Sequence, residues 1–285
     1  MRCDGGSELT VGPAALYLAK ATATRLRSVA WAARRLAPQD GVRILFYHRV
    51  SDDDDELAVR PGRFRAHMAA LAEAGFRAVD VATAAGLLRR GEPAKWTVGL
   101  SFDDGYRDVV ENAAPVLAEH EFRASVFVST GVVDGRVRFS WYDRQPPVLS
   151  WDEIGGHDGK QLVFEPHTIT HPNLLAVDDA TAANEIAGSK RALEERLGRR
   201  VSVFCYPAGL FGEREKRLVR EAGYEAATSC EPGVNTAATD PFALRRIQVD
   251  RRDSLLDFRA KVGGAHDRAL PLRGLYRRRT YGARS

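Results

Sequence analysis

Two adjacent carboxylates, Asp103 and Asp104, close the apolar stretch "LSFDD" and are followed at once by Gly105. Like charges at neighbouring positions repel, so such a pair needs open solvent or a counter-charge. Asp-Gly is a common turn dipeptide, and taken alone the pair reads as a solvated turn. A second stretch, "EPHTITHPNL", changes that reading. His167 and His171 stand four apart, the spacing that brings two imidazoles to one face of a helical turn and that recurs in zinc motifs. Pro172 limits how far a helix could continue there, so a short turn is expected. A catalytic zinc commonly takes three protein ligands and keeps a position for water. The third ligand would be a carboxylate from another strand end, and Asp103 and Asp104 supply one candidate and one spare. One carboxylate then holds the cation while its neighbour stays free to take a proton from a water that the cation acidifies. The cation also offsets the repulsion within the pair.

The elements that must position these groups alternate in type. "GVRILFYHRV" reads as a buried strand running into His48, and an acidic loop, "SDDDDE", follows it. "PGRFRAHMAALAEAGF" reads as a helix with Phe64, Met68 and Leu71 on one face and Gly75 as its stop. Next come the strand "WTVGLSFDDG", the helix "VVENAAPVLAEHEF" and the strand "RASVFVST". "QLVFEPHTITH", the helix "ATAANEIAGSKRALEERLG" and the strand "VSVFCYP" follow a loop. The helix "EREKRLVREAG", the short strand "YEAATSC" and a final "ALRRIQV" complete the pattern. Strands alternating with helices, with no internal repeat, predict an α/β fold of βαβ units around a parallel sheet. In such folds ligands bind beyond the carboxyl ends of the strands, where His48, the Asp pair, the His pair and "YPAG" all fall.

"SFDDGY", "HTITH" and the apolar strand into "FCYPAG" together resemble the successive motifs of the polysaccharide deacetylases, carbohydrate esterase family 4 with its NodB homology domain. The resemblance spans roughly residues 41 to 250, and the doublet with the histidine pair is its specific part. It implies a distorted, incomplete (β/α) barrel with a divalent metal, most often Zn2+, at its mouth. Carried over residue by residue, it makes Asp103 the general base and Asp104, His167 and His171 the metal ligands, with Thr168 in the position where a Ser or Thr usually follows the first histidine. It also implies an oxyanion held by the metal and a backbone N–H of the "YPAG" turn, that of Ala208. Two positions depart from the pattern: Cys205 stands where the family has an arginine orienting the base, and the C-terminal histidine motif has no match, His266 lying beyond the last strand. Both departures resemble the branch that deacetylates poly-N-acetylglucosamine. In that branch the general acid is a histidine in an early strand, here His48, and a late Leu-x-Arg-Ile segment supplies the arginine. Between Arg245 and Arg246, the latter directly precedes Ile247 and is the one expected to orient the base.

The 285 residues carry a formal charge of +4 that is unevenly spread. Thr10 to Pro38 holds five basic residues and no acid, and six arginines with no acid follow Asp267. This divides the chain into a basic, helical segment over 1–40, a catalytic domain over 41–265 and a basic tail over 266–285. Leu26, Val29, Ala33 and Leu36 recur at helical spacing among arginines, which fits either a helix packed on the domain or peripheral membrane contact. Nothing approaches the ~18 apolar residues of a membrane span, and no secretory signal is evident, so a cytoplasmic location, or the inner face of the membrane, is expected. Cys3, Cys205 and Cys230 show no disulfide or metal spacing. No nucleic-acid motif is present. His67 and His120 are expected to be exposed on helix faces, Asp52 to Asp55 to form a solvated loop, and Trp141, Tyr142 and Trp151 to stack on sugar or to pack. The resulting expectation is a metal-dependent hydrolase removing acetyl from an N-acetylated sugar of a glycan or lipid-linked precursor. Another amide or an O-acetyl ester as substrate, or a silent glycan-binding protein on the same scaffold, are the alternatives.

Overall fold

The structure, a computed structural model, describes residues 41–267 apart from Pro93 and His266. The N-terminal basic segment expected to be helical, the tail after Asp267, Cys3 and His266 lie outside the described residues.

The chain runs through β1 (Arg43–Tyr47), β2 (Arg49–Val50), β3 (Ala58–Val59), α1 (Pro61–Glu73), β4 (Arg77–Val79) and α2 (Val81–Arg89). It continues with β5 (Thr97–Phe102), a π-helical turn Val109–Ala113 leading into α3 (Ala114–Glu119), β6 (Ala124–Val128), α4 (Thr130–Val133), α5 (Trp151–His157) and β7 (Leu162–Pro166). The last part holds α6 (Asp179–Leu197), β8 (Val203–Cys205), α7 (Glu213–Glu221), β9 (Ala226–Thr228), β10 (Arg246–Gln248) and α8 (Leu255–Val262). β4 and α2 fill "RAVDVATAAGLLR", a stretch whose sequence pattern announced neither. Its helix is started by Asp80, whose carboxylate accepts from Thr83 N at 2.8 Å.

Every ladder among these strands is parallel. The sheet runs β10-β1-β5-β6-β7, with β4 sharing one edge of β5 with β6: Thr97–Gly99 pair with β4 and Ser101–Phe102 with β6. β8 and β9 form a separate parallel pair. Between β7 and β8 the ladder is replaced by a side chain. Glu165 Oε2 accepts from Ser202 N and Val203 N, each at 3.0 Å, so a carboxylate bridges the seam. On the other side Leu244 joins Thr228 by an isolated parallel bridge. The strands thus curl into a distorted (β/α) barrel that hydrogen bonds do not close.

Strands buried on both faces should be apolar throughout, and they divide the core in two. Val42, Ile44, Phe127, Val203 and Ala226 pack inside the barrel, while Leu45, Leu100 and Val126 meet Phe64, Leu117 and Ile186 of the surrounding helices. Gly99 is required for that interior: a Cβ there would stand 2.9 Å from Ile44 Cγ1. His67, expected on an exposed face, is instead fully buried and stacked on Phe258 at 4.1 Å. The α1 face that carries it is covered by α8, a contact the local pattern does not encode.

Candidate active and metal site

Four strand ends converge on a single cavity of about 670 Å3. β5 ends in Asp103 and Asp104, β7 in His167, β8 leads to Ala208, and β1 leads to His48; all line the cavity, as does His171. Arg246 of β10 lies fully buried behind it. The seven residues singled out from the sequence are therefore neighbours in space.

Asp103 is anchored twice. Its N–H donates to Tyr47 O at 3.0 Å, and its carboxylate accepts a fork of bonds from Arg246, 2.6 Å to Oδ1 and 2.8 Å to Oδ2. Burial opposes its charge, and the guanidinium overcomes this and holds Asp103 below the usual carboxylate range. Arg246 is itself fixed: Nε donates to Ser229 O at 2.9 Å and Nη1 to Ser101 Oγ at 3.2 Å, under the Phe46 ring at 4.3 Å. Arg245 turns elsewhere, to Pro232 O. Cys205, standing where the family arginine would, rests its Sγ 3.1 Å from Arg246 Nη2, so a guanidinium from β10 reaches the space that β8 leaves.

Asp104 has the opposite environment. Its Oδ1 is buried without a hydrogen-bond partner, 3.7 Å from His167 Nε2 and 3.7 Å from His171 Nε2. His167 Nδ1 lies 2.7 Å from Cys205 O, which fixes the proton on Nδ1 and turns the Nε2 lone pair toward Asp104. Burial pushes Asp104 up to about 7, with the Asp103 charge adding and His167 opposing. Burial, with His167 next to it, lowers His171 well below its ordinary value, so its ring is a neutral donor. One carboxylate oxygen and two imidazole nitrogens, all within 4.8 Å of one another, form a three-ligand set for a divalent cation. An orphaned buried carboxylate oxygen costs free energy that such a cation would remove. The residues present fit the metal that the sequence motifs imply.

Backbone strain gathers at the same place. Six non-glycine residues among those described adopt positive φ, and four belong to the site: Asp104 (72°), Thr168 (68°), His171 (60°) and Ala208 (53°). Gly105 follows at φ 73°, and a Cβ there would meet Val128 Cγ1 at 2.8 Å, so the turn after the Asp pair accepts no side chain. The histidine pair is not on a helix. Thr168 braces it, its hydroxyl donating to His167 O and accepting from His171 N at 2.9 Å. Glu185 of α6 closes the turn by accepting from Ile169 N and Thr170 N, at 2.8 and 2.9 Å. Nothing in the sequence marked Glu185, since its partners, two backbone N–H groups and the Thr170 hydroxyl, lie sixteen and fifteen residues away.

The acidic loop is not simply solvated. Arg49, buried, donates to Asp108 at 2.8 Å, to Asp55 at 2.9 Å and to Asp53 at 2.6 Å. Asp55 also accepts from the Tyr142 hydroxyl at 2.6 Å, which ties the loop to the aromatic wall. Trp141 packs edge-on against His171, 4.9 Å between centroids, and lines the cavity with Tyr142. Trp151 lies elsewhere, beneath Arg196. His120 ends α3 half-buried.

The comparisons with known proteins agree with this arrangement. Residues 90–227 match the family model described as polysaccharide deacetylase, which takes in Asp103, Asp104, His167, His171 and Ala208 but not His48 or Arg246. YxkH of Bacillus subtilis, named for the same deacetylase family, is 26% identical over 207 residues, 72% of this chain and 70% of that protein. The poly-beta-1,6-N-acetyl-D-glucosamine N-deacetylase of Staphylococcus aureus is 23% identical over 166 residues, and the match spans 56% of this chain and 57% of that protein. Among solved structures, IcaB from Ammonifex degensii is 25% identical with a TM-score of 0.70, covering 79% of this chain and 98% of that one. Motifs, barrel and comparisons lead to one conclusion: this chain carries a polysaccharide deacetylase domain.

Proposed function

We propose that the chain is a metal-dependent deacetylase that hydrolyses the N-acetyl group of an amino sugar within a glycan or glycan precursor. The observation that carries this reading is the contrast between neighbours: Asp103 is held ionised by Arg246, while Asp104 presents an orphaned oxygen to two imidazoles. Asp104, His167 and His171 hold the cation, and their mixed O/N set suits zinc. When bound, a divalent ion there supplies Lewis-acid polarisation of a carbonyl oxygen and lowers the pKa of water. Asp103 takes the proton of the attacking water, and Arg246 keeps its carboxylate charged and aimed. The Ala208 N–H, in a turn that only a strained φ allows, donates to the oxyanion. His48 returns a proton to the amide nitrogen as the C–N bond breaks, releasing acetate and a free amine. The names of the Staphylococcus and Bacillus relatives support an N-acetylated glycan as substrate.

The test is metal content together with acetate release from N-acetylglucosamine oligomers and lipid-linked N-acetyl sugars. We expect about one divalent ion per chain, as three-ligand catalytic sites hold, lost in Asp104→Ala along with acetate release. A chain that binds no ion yet stays folded would leave a glycan-binding scaffold, and a metal-loaded chain releasing no acetate from either class would redirect the search to esters or other amides.

A further inference from the structure

A second cavity, of about 600 Å3, opens on the far side of the acidic loop and shares Asp54 and Glu56 with the catalytic cavity. Its other lining residues are four arginines: Arg60 and Arg63 at the start of α1, and Arg251 and Arg252 in the turn before α8. Arg251 pairs with Asp54 at 2.6 Å and Arg252 with Glu56 at 2.9 Å, but both carboxylates are almost wholly exposed, at 97% and 85%. Carboxylates that open to water compensate a guanidinium weakly. Arg63 gives one N–H to Arg251 O at 2.7 Å, and neither Arg63 nor Arg60 has a carboxylate partner among the described residues. Four guanidiniums against two carboxylates leave a surplus of two positive charges in one concave space. Like charges are not gathered into a cavity without cost, and planar forks of donors match phosphate and carboxylate oxygens.

We propose that this cavity is a binding subsite for an anionic group, phosphate or carboxylate, carried by the glycan whose acetamide enters the catalytic cavity. The loop Ser51–Leu57 is the sill between the two, so a substrate lying across it meets the metal ligands on one side and the arginines on the other. Arg49, by holding Asp53 and Asp55, fixes that sill, and Arg251 adds a bond to Asp55 O at 3.3 Å. The subsite rests on the deacetylase reading above and adds to it a selection for charge. Two sources of the anion share this chemistry: the phosphates of a lipid-linked sugar and the carboxylates of a uronate-containing chain.

The test uses the metal-loaded chain and its Arg60→Ala/Arg63→Ala variant, with Arg60→Ala alone as a second variant because Arg60 is exposed. Deacetylation is compared on a neutral N-acetylglucosamine oligomer, an N-acetylglucosaminyl pyrophosphoryl lipid and an oligosaccharide alternating N-acetylhexosamine with uronate. Binding of inorganic phosphate is measured alongside by calorimetry. We expect kcat/KM to favour one anionic substrate over the neutral one by about tenfold, the worth of one or two charge-assisted contacts. The double variant should lose that preference through KM with kcat retained and bind phosphate at least about tenfold more weakly, and in wild type the preference should shrink as salt rises. The favoured anionic arm names the source. Equal handling of neutral and anionic substrates, or a preference and phosphate affinity untouched in both variants, overturns the proposal. So does loss of binding to anionic vesicles with no substrate preference, which would make the arginines a membrane contact. If no substrate releases acetate while phosphate affinity still falls in the variants, the anion site stands and the deacetylase reading fails.

Discussion

Two buried polar clusters in this molecule follow opposite rules. Between α1 and α8, Lys261 donates to Asp253 and to Gln248 O, and the Tyr47 hydroxyl lies 3.2 Å from His67 Nδ1, while the His67 ring stacks on Phe258. Its charges cancel within the cluster, and His67 Nε2, though buried without a hydrogen-bond partner, lines neither of the two cavities described above. At the strand ends, Asp103, Asp104 and His167 are just as deeply buried, yet one carboxylate oxygen is left over, the backbone is strained and the groups converge on open space. Depth of burial therefore does not separate a site from a support. Unspent bonding capacity aimed at a cavity does.

The comparison can be broken at its strongest points first. Asp103→Asn keeps shape and removes the proton acceptor, so kcat per folded chain should fall roughly a thousandfold, equivalent to about 4 kcal/mol, with the bound metal retained, while the buried Arg246 loses its counter-charge and the fold about 3 kcal/mol of stability. Retained turnover would remove Asp103 from the reaction. Asp253→Asn should act on stability alone: it leaves Lys261 a buried cation without its counter-charge and should cost about 3 kcal/mol. Chemical denaturation checks this, and the fraction still folded should hold its metal and turn over normally. Arg246→Lys keeps a charge but not the fork. A loss of about 2 kcal/mol, some thirtyfold in kcat, is expected with KM little changed. An unchanged kcat would mean that Asp103 needs no alignment.

The two clusters also differ in what the sequence revealed of them. The Asp pair and the His pair were legible because each is a local pattern at a strand end, where backbone geometry dictates that polar groups face a ligand. The partner of Asp103 is 143 residues away, and periodicity could not choose it; only the likeness of "FALRRIQV" to a known branch pointed to Arg246 over Arg245. His67 went the other way. Read on its own helix it is one polar residue in "RFRAHMAAL", and its burial is decided by Phe258, 191 positions later in "LLDFRAKV". Arg49 was hidden for a similar reason, since its three carboxylates come from a loop that looked solvated and from Asp108 beyond β5. β4 and α2 escaped because three strand residues and an alanine-rich helix make a weak period, and the sheet edge that β5 offers supplies the rest. Glu165, which joins β7 to β8, has no motif at all.

The smallest effect separates the clusters by acidity. Burial lowers His67 from its ordinary value to about 3, with the Arg63 and Lys261 charges adding to it. A histidine whose folded value is depressed binds its proton more readily in the unfolded chain. Its neutral form therefore supports the fold fully above about 6.5, and that support is lost as pH falls from there toward about 3. From pH 7 to 5.5 the wild type should lose about 1.3 kcal/mol through this group alone. His67→Asn removes the titration, so its stability deficit relative to wild type should shrink by that amount over the same interval. Paired urea titrations at the two pH values measure the difference directly, and other titrating groups cancel because both proteins carry them. A constant deficit would mean that His67 is charged in the folded protein or reaches water through openings of the α1–α8 contact.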